Sequence, residues 1–187
     1  MAKKSKIIVL VGPSGSGKTT IAEEIIEQSQ NDSEEDCIKV ITCTTRNIRN
    51  GEVNGVHYHY LTEKQFRELI KNNEFVEYCS YAGNLYGTRY KELDEVISKN
   101  QNAILVMDIN GAKAIKSRYP DNSISIFLDR DKIDLVMAIL ERSVSNEEKA
   151  KRIIQLDEDE KARHQCDFVV KNDNLEKAIK EVKSYIA

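Results

Sequence analysis

The segment that most constrains the fold is Gly12-Pro-Ser-Gly-Ser-Gly-Lys-Thr-Thr20, set directly behind the apolar run Ile7–Val11. Gly12, Gly17, Lys18 and Thr19 match the pattern G-x-x-x-x-G-K-[ST]. Such a loop works only between a buried strand and the first turn of a helix. Its glycines let the backbone curl until several N–H groups converge, and the helix adds its positive N-terminal end. Pro13, Ser14, Gly15 and Ser16 form the body of the loop, and Thr20 closes it. Lys18 is expected to bring a mobile positive charge to β- and γ-phosphates, and Thr19 a hydroxyl to Mg²⁺. The motif points to a nucleoside triphosphate with Mg²⁺ and leaves the acceptor open.

The rest of the chain alternates between the two periodicities. Short apolar runs predict strands at Ile7–Val11, Lys39–Cys43, Phe75–Tyr81, Ala103–Met107, Ser123–Leu128 and Phe168–Val170. Helices are expected from Lys18, from the capping box Thr62–Gln65 to about Asn72, and over Tyr90–Ser98, Ala112–Arg118 and Lys132–Arg142. A second capping box, Ser145-Asn-Glu-Glu148, opens a charged helix through Arg163, and Leu175, Ala178, Ile179, Val182 and Ile186 stripe a closing helix. Residues 28–36, 44–57 and 82–84 read as loops or turns. This order predicts an α/β fold, a P-loop parallel sheet with helices on both faces.

Composition narrows the function. The 187 residues suffice for one domain with small inserted lobes, and 40% apolar with 32% charged is ordinary for a globular protein. A net charge of −3 gives no basic field for nucleic acid. Nothing approaches the roughly 20 apolar residues of a membrane span, and the basic start MAKKSK leads into a run too short for a secretory signal. Cys37, Cys43, Cys79 and Cys166 lack C-x-x-C spacing, which fits reduced thiols and a cytoplasmic location.

The acceptor is to be sought in residues 42–60, TCTTRNIRNGEVNGVHYHY. Arg46 and Arg49, three apart with no acid between them, could fork around a phosphate dianion. Tyr58 and, in NLYGT, Tyr86 offer phenolic donors. By themselves these arginines could equally be solvated and the tyrosines buried in a core, and Glu77 could be a surface glutamate.

Taken together, GPSGSGKTT, TTRNIRNGEVNGVHY, FVEYCSYAGNLYGT and the strand ending in Asp108-Ile-Asn-Gly111 resemble the guanylate kinase family over nearly the whole chain. That resemblance implies a sheet core (1–41, 91–128 and 164–187), a GMP-binding lobe (42–90) and a helical lid over ATP (129–163). It implies that Arg46, Arg49, Tyr58 and Tyr86 hold the GMP phosphate, that Thr42, Glu77 and Thr88 surround guanine, and that Asn172 lies near adenine. Asp108 is expected to support the nucleotide and magnesium shell. Lys18, Arg46, Arg142 and Arg152 are the expected catalytic residues. The substrates would be ATP and GMP, with dGMP accepted. The chemistry agrees: one carboxylate can accept from both guanine N1–H and its 2-amino group, whereas adenine would turn a lone pair toward it.

The chain departs from the family at several places. Ile48 stands where proline is usual, Val106 where a first strand-end acid is expected, and Asp129-Arg130-Asp131 where a proline pair is usual. RSVSNEE lacks a glycine after its first arginine, Ala138 falls near a usual arginine, and Arg152 sits one residue out of register. Two other functions stay open at this stage: a P-loop kinase of a sugar phosphate, and a non-catalytic interaction module of the same fold.

Overall fold

The structure, a computed structural model, describes residues 5–29, 36–81 and 83–186. Residues 1–4 of the basic start, 30–35 of the expected polar loop and Ala82 of the expected turn lie outside the described residues.

Five strands form the main sheet: β1 (Ile7–Val11), β2 (Cys37–Lys39), β7 (Asn102–Val106), β8 (Ser123–Asp129) and β9 (Phe168–Lys171). They run in the order β2-β7-β1-β8-β9, all parallel, with β1 at the centre. Strand alternation splits the core in two. Ile8 and Leu10 face one side with α1 (Lys18–Ser29) and α7 (Leu175–Ile186). Ile7, Val9 and Val11 face the other with α3 (Tyr90–Ser98) and α4 (Ile109–Arg118). Both sides are apolar because helices cover both, as a parallel sheet requires.

A second, smaller sheet has the order β4-β3-β6-β5, from β3 (Cys43–Thr44), β4 (His59–Tyr60), β5 (Phe75–Tyr81) and β6 (Asn84–Arg89). Helix α2 (Glu63–Lys71) covers it, and Phe66, fully buried, stacks on Phe75 with ring centroids 4.5 Å apart. A third small core joins α5 (Lys132–Leu140) and α6 (Asn146–Glu160) through Leu135, Ile139 and Leu156.

Several expectations change. The strand expected at Lys39–Cys43 is two strands in different sheets. The Val40 amide still bonds to Ile104 O, after which the chain crosses over and Cys43 pairs with Gly87. NLYGT, read only as a short stretch, lies within β6, the antiparallel partner of β5. Helix α4 starts at Ile109 rather than Ala112, because the Asp108 carboxylate caps it by accepting from the Gly111 amide at 2.9 Å. Helix α6 stops at Glu160, and a 3₁₀ turn covers Lys161–Gln165. The Thr62–Gln65 box closes on both sides, whereas at Ser145 only the hydroxyl half forms; the Glu148 side chain is engaged elsewhere.

Candidate functional site

A cavity of about 1000 Å³ opens at the carboxyl ends of the parallel strands, walled also by the second sheet and by α5 and α6. That is where open parallel sheets present their ligand crevice. Each strand end delivers part of it. After β1 comes the glycine loop, after β2 Thr42, after β7 Asp108, after β8 Arg130 and after β9 Asn172.

The glycine loop is braced from three sides. Arg152 Nη1 donates to Ser14 Oγ at 3.1 Å, Arg130 Nη1 to Gly15 O at 3.0 Å, and Asn172 Nδ2 to Ser16 O at 2.8 Å. Gly17 has φ +90°, and a Cβ there would collide with Asn172 Nδ2. Lys18 Nζ lies inside the loop and donates to Gly12 O and Pro13 O, both at 2.7 Å. Burial lowers its pKa to about 8, against the opposing pull of Asp159 and with Arg142 and Arg152 adding to the fall. Thr19 and Thr20, exposed in the first turn of α1, line the cavity, as do Gly12, Ser14, Gly15 and Gly17. Pro13 and Ser16 are not on its wall. Both are buried, Ser16 completely. Asn172 is not on the wall either, and its amide nitrogen is committed to bracing the loop.

Opposite the loop, Glu77 on β5 is 9% exposed and takes a 2.6 Å hydrogen bond from Thr88 Oγ1 on β6. The two strands place these residues directly across from each other. Burial raises the Glu77 pKa to about 7; the Thr88 bond opposes the rise and Asp108 adds to it. Gly111 leaves room for the carboxylate, since a Cβ there would lie 3.2 Å from Glu77 Oε2 and 2.8 Å from Met107 Sδ. Cys79 lies near Asp108, and its thiol is raised by burial and by that carboxylate. Thr42, Tyr58, Tyr86 and Asp108 share the cavity wall with Glu77 and Thr88.

Both arginines of the 44–57 loop also line the cavity, but they do not share one open fork. Arg46 grips Glu52 with both terminal nitrogens, at 2.9 and 2.8 Å, and lies over the rings of Tyr58 and Tyr60, 5.5 and 5.7 Å from their centroids. Glu52 also accepts from Tyr60 Oη and the Arg49 amide, each at 2.7 Å. Burial would raise the Glu52 carboxyl, yet these bonds outweigh it and hold the pKa at about 2. Arg49 reaches away to Glu148 on α6, at 2.9 Å. Arg142 lines the cavity too. Burial lowers its pKa, and the nearby Arg152 and Arg49 deepen the fall.

Four site residues escaped the sequence reading: Glu52, Glu148, Arg130 and Asp159. Glu148 precedes Arg152 by four residues on a helix, a spacing that offers that pair, whereas Glu52 pairs with Arg46, six residues away in a loop, where no helical spacing flags it. Arg130 and Asp159 had no local signal; only the tertiary fold turns them toward the glycine loop.

The family model described as guanylate kinase matches residues 4–187. Among curated proteins, the chain is similar to a guanylate kinase of Prochlorococcus marinus (strain MIT 9312), 36% identical over 184 residues, 97% of each chain. A guanylate kinase of Carboxydothermus hydrogenoformans is 34% identical over 186 residues, covering 98% of this chain and 88% of that one. Among solved structures, guanylate kinase from Anaplasma phagocytophilum matches the fold with a TM-score of 0.79 at 23% identity, covering 98% of this chain and 85% of that one.

Proposed function

The chain belongs to the guanylate kinase family, and from that premise we propose how its cavity carries out the reaction. It is a nucleoside monophosphate kinase that transfers the ATP γ-phosphate to GMP, giving ADP and GDP. The observation that carries the assignment of sides is the buried Glu77 carboxylate, fixed by Thr88 and facing the cavity across from the glycine loop. Thr88 occupies Oε1. The remaining lone pairs suit the adjacent N1–H and 2-amino donors of guanine, with Thr42 and Asp108 completing the base pocket. Arg46, Arg49, Tyr58 and Tyr86 would take the acceptor phosphate, Arg46 and Arg49 giving up their present carboxylates in part. The glycine loop amides, Lys18 and Thr20 would hold the donor triphosphate.

No covalent intermediate is required. The acceptor phosphate oxygen is the nucleophile, so the protein's work is alignment and neutralisation of charge. Lys18, Arg142 and Arg152 all line the cavity and would neutralise the charge that develops between donor and acceptor. Residues 129–163 act as the lid that excludes water there. Residues 42–90 serve as the acceptor lobe and the remainder as the core. Asn172, off the cavity wall, would act on the adenine end only through the glycine loop that it braces.

The donor set fits Mg²⁺. The Thr19 hydroxyl on the cavity wall would offer a hard oxygen donor, with the Asp108 carboxylate on the same wall supporting the nucleotide and magnesium shell. Among the described residues no three acidic, histidine or cysteine groups come together to cage a metal. That suits an ion arriving with the triphosphate, where it would neutralise phosphate charge.

The test is ADP release with ATP and Mg²⁺ against GMP, dGMP, AMP, CMP, UMP, dTMP and ribose 1,5-bisphosphate. Turnover is expected with GMP and dGMP alone. Equal turnover with AMP would remove Glu77 from base recognition.

A further inference from the structure

Glu148 lies outside the base pocket and the glycine loop, yet three parts of the molecule meet through it. Its Oε1 accepts from Arg49 Nη2 at 2.9 Å and from Arg152 Nη2 and Nε at 2.7 and 3.2 Å. Arg49 belongs to the arginine loop, 99 residues away in sequence. Arg152 continues to Ser14 of the glycine loop. A third cation, Arg142, is close enough for Arg49 and Arg152 to disfavour its charge. Three guanidiniums thus gather about one carboxylate. A carboxylate and a phosphate offer a guanidinium the same paired acceptor oxygens.

We propose that Glu148 stands in for the acceptor's phosphate: it occupies Arg49 and clips the lid to the acceptor loop until GMP takes that guanidinium over. The inference rests on the reading of Arg49 as a phosphate contact. Glu148 is then a positioning residue, acting through Arg49 and Arg152, and a built-in competitor of the acceptor. Competition has a sign that a merely supporting role lacks. Removing the carboxylate frees Arg49 and tightens GMP, whereas removing a support loosens it.

The test is calorimetric titration of GMP and of guanosine into the full chain, without ATP, for the unaltered protein and Glu148→Gln, Glu148→Asp, Glu147→Gln and Arg49→Ala. Glu148→Gln is expected to bind GMP about three- to fivefold more tightly, the scale of one partly exposed ion pair, with guanosine unchanged. Glu148→Asp, too short to span both arginines, shifts GMP the same way. Glu147→Gln, the exposed neighbour, leaves both ligands as they were. Arg49→Ala weakens GMP about tenfold or more. Unchanged or weaker GMP binding in both Glu148 variants, with Arg49→Ala still weakened, overturns the inference alone. Unaltered GMP binding in Arg49→Ala overturns the reading of Arg49 and the inference with it.

Discussion

Glu77 and Lys18 are two ionisable groups whose charge the proposed reaction needs and whose surroundings resist it. For Glu77, burial raises the free pKa to about 7, while guanine's two donors require the carboxylate. Binding below pH 7 therefore drives off a proton, and GMP affinity falls as pH falls, by up to about tenfold per unit. Glu77→Gln removes this dependence and weakens GMP by about tenfold or more, while ATP affinity stays near normal. Calorimetry of both proteins from pH 5.5 to 8 measures the difference, since titration of the ligand's own phosphate is common to both. For Lys18 the sign reverses. Burial lowers its pKa to about 8, so part of the population is neutral near that pH. Phosphates restore the charge, and ATP binding at pH 8 takes up protons. Titrations in buffers of different ionisation enthalpy show the uptake, and Lys18→Met abolishes it. The same variant loses about 10²-fold or more in turnover but keeps GMP binding.

At the scale of elements, the acceptor side depends on a very small core. Phe66 on α2 stacks on Phe75 of β5, and few other apolar side chains hold α2 to the second sheet. Phe66→Ala is expected to cost about 3–5 kcal/mol by denaturant unfolding, because cavity and lost transfer energy add. It should lower GMP affinity before ATP affinity. Helices whose signals are local were legible from the chain: the Thr62–Gln65 box forms, and of the stripe Leu175, Ala178, Ile179, Val182 and Ile186 all but the exposed Leu175 are buried. Strand β6 was not, because NLYGT has no apolar alternation and is fixed by pairing with β5. Nor was the break in Lys39–Cys43, since nothing local says that an apolar run is shared between two sheets. At Ser145 the capping pattern was visible, but Arg49 and Arg152 compete for the Glu148 carboxylate and win it.

Across the whole molecule, five parallel strand ends and a small mixed sheet wall a cavity, with the glycine loop on one side and a buried carboxylate on the other. The glycine loop was legible because its chemistry is contiguous in sequence. The acceptor side was legible only by family resemblance, since Arg46, Glu77 and Asp108 come from separate elements and no period or spacing links them. What the chain alone did not disclose is how its other charges are held before substrate arrives: Arg46 on Glu52, Arg49 on Glu148, Lys18 on loop carbonyls. The proposed reaction turns on Glu77 reading the base while the arginine loop holds the phosphate. A crystal structure with GMP measures this directly. Both Glu77 oxygens are expected within hydrogen-bonding reach of the base edge, about 3 Å from N1 or the 2-amino nitrogen, with the phosphate between Arg46 and Arg49. A guanine ring bound away from Glu77, or a phosphate seated on neither arginine, would contradict it.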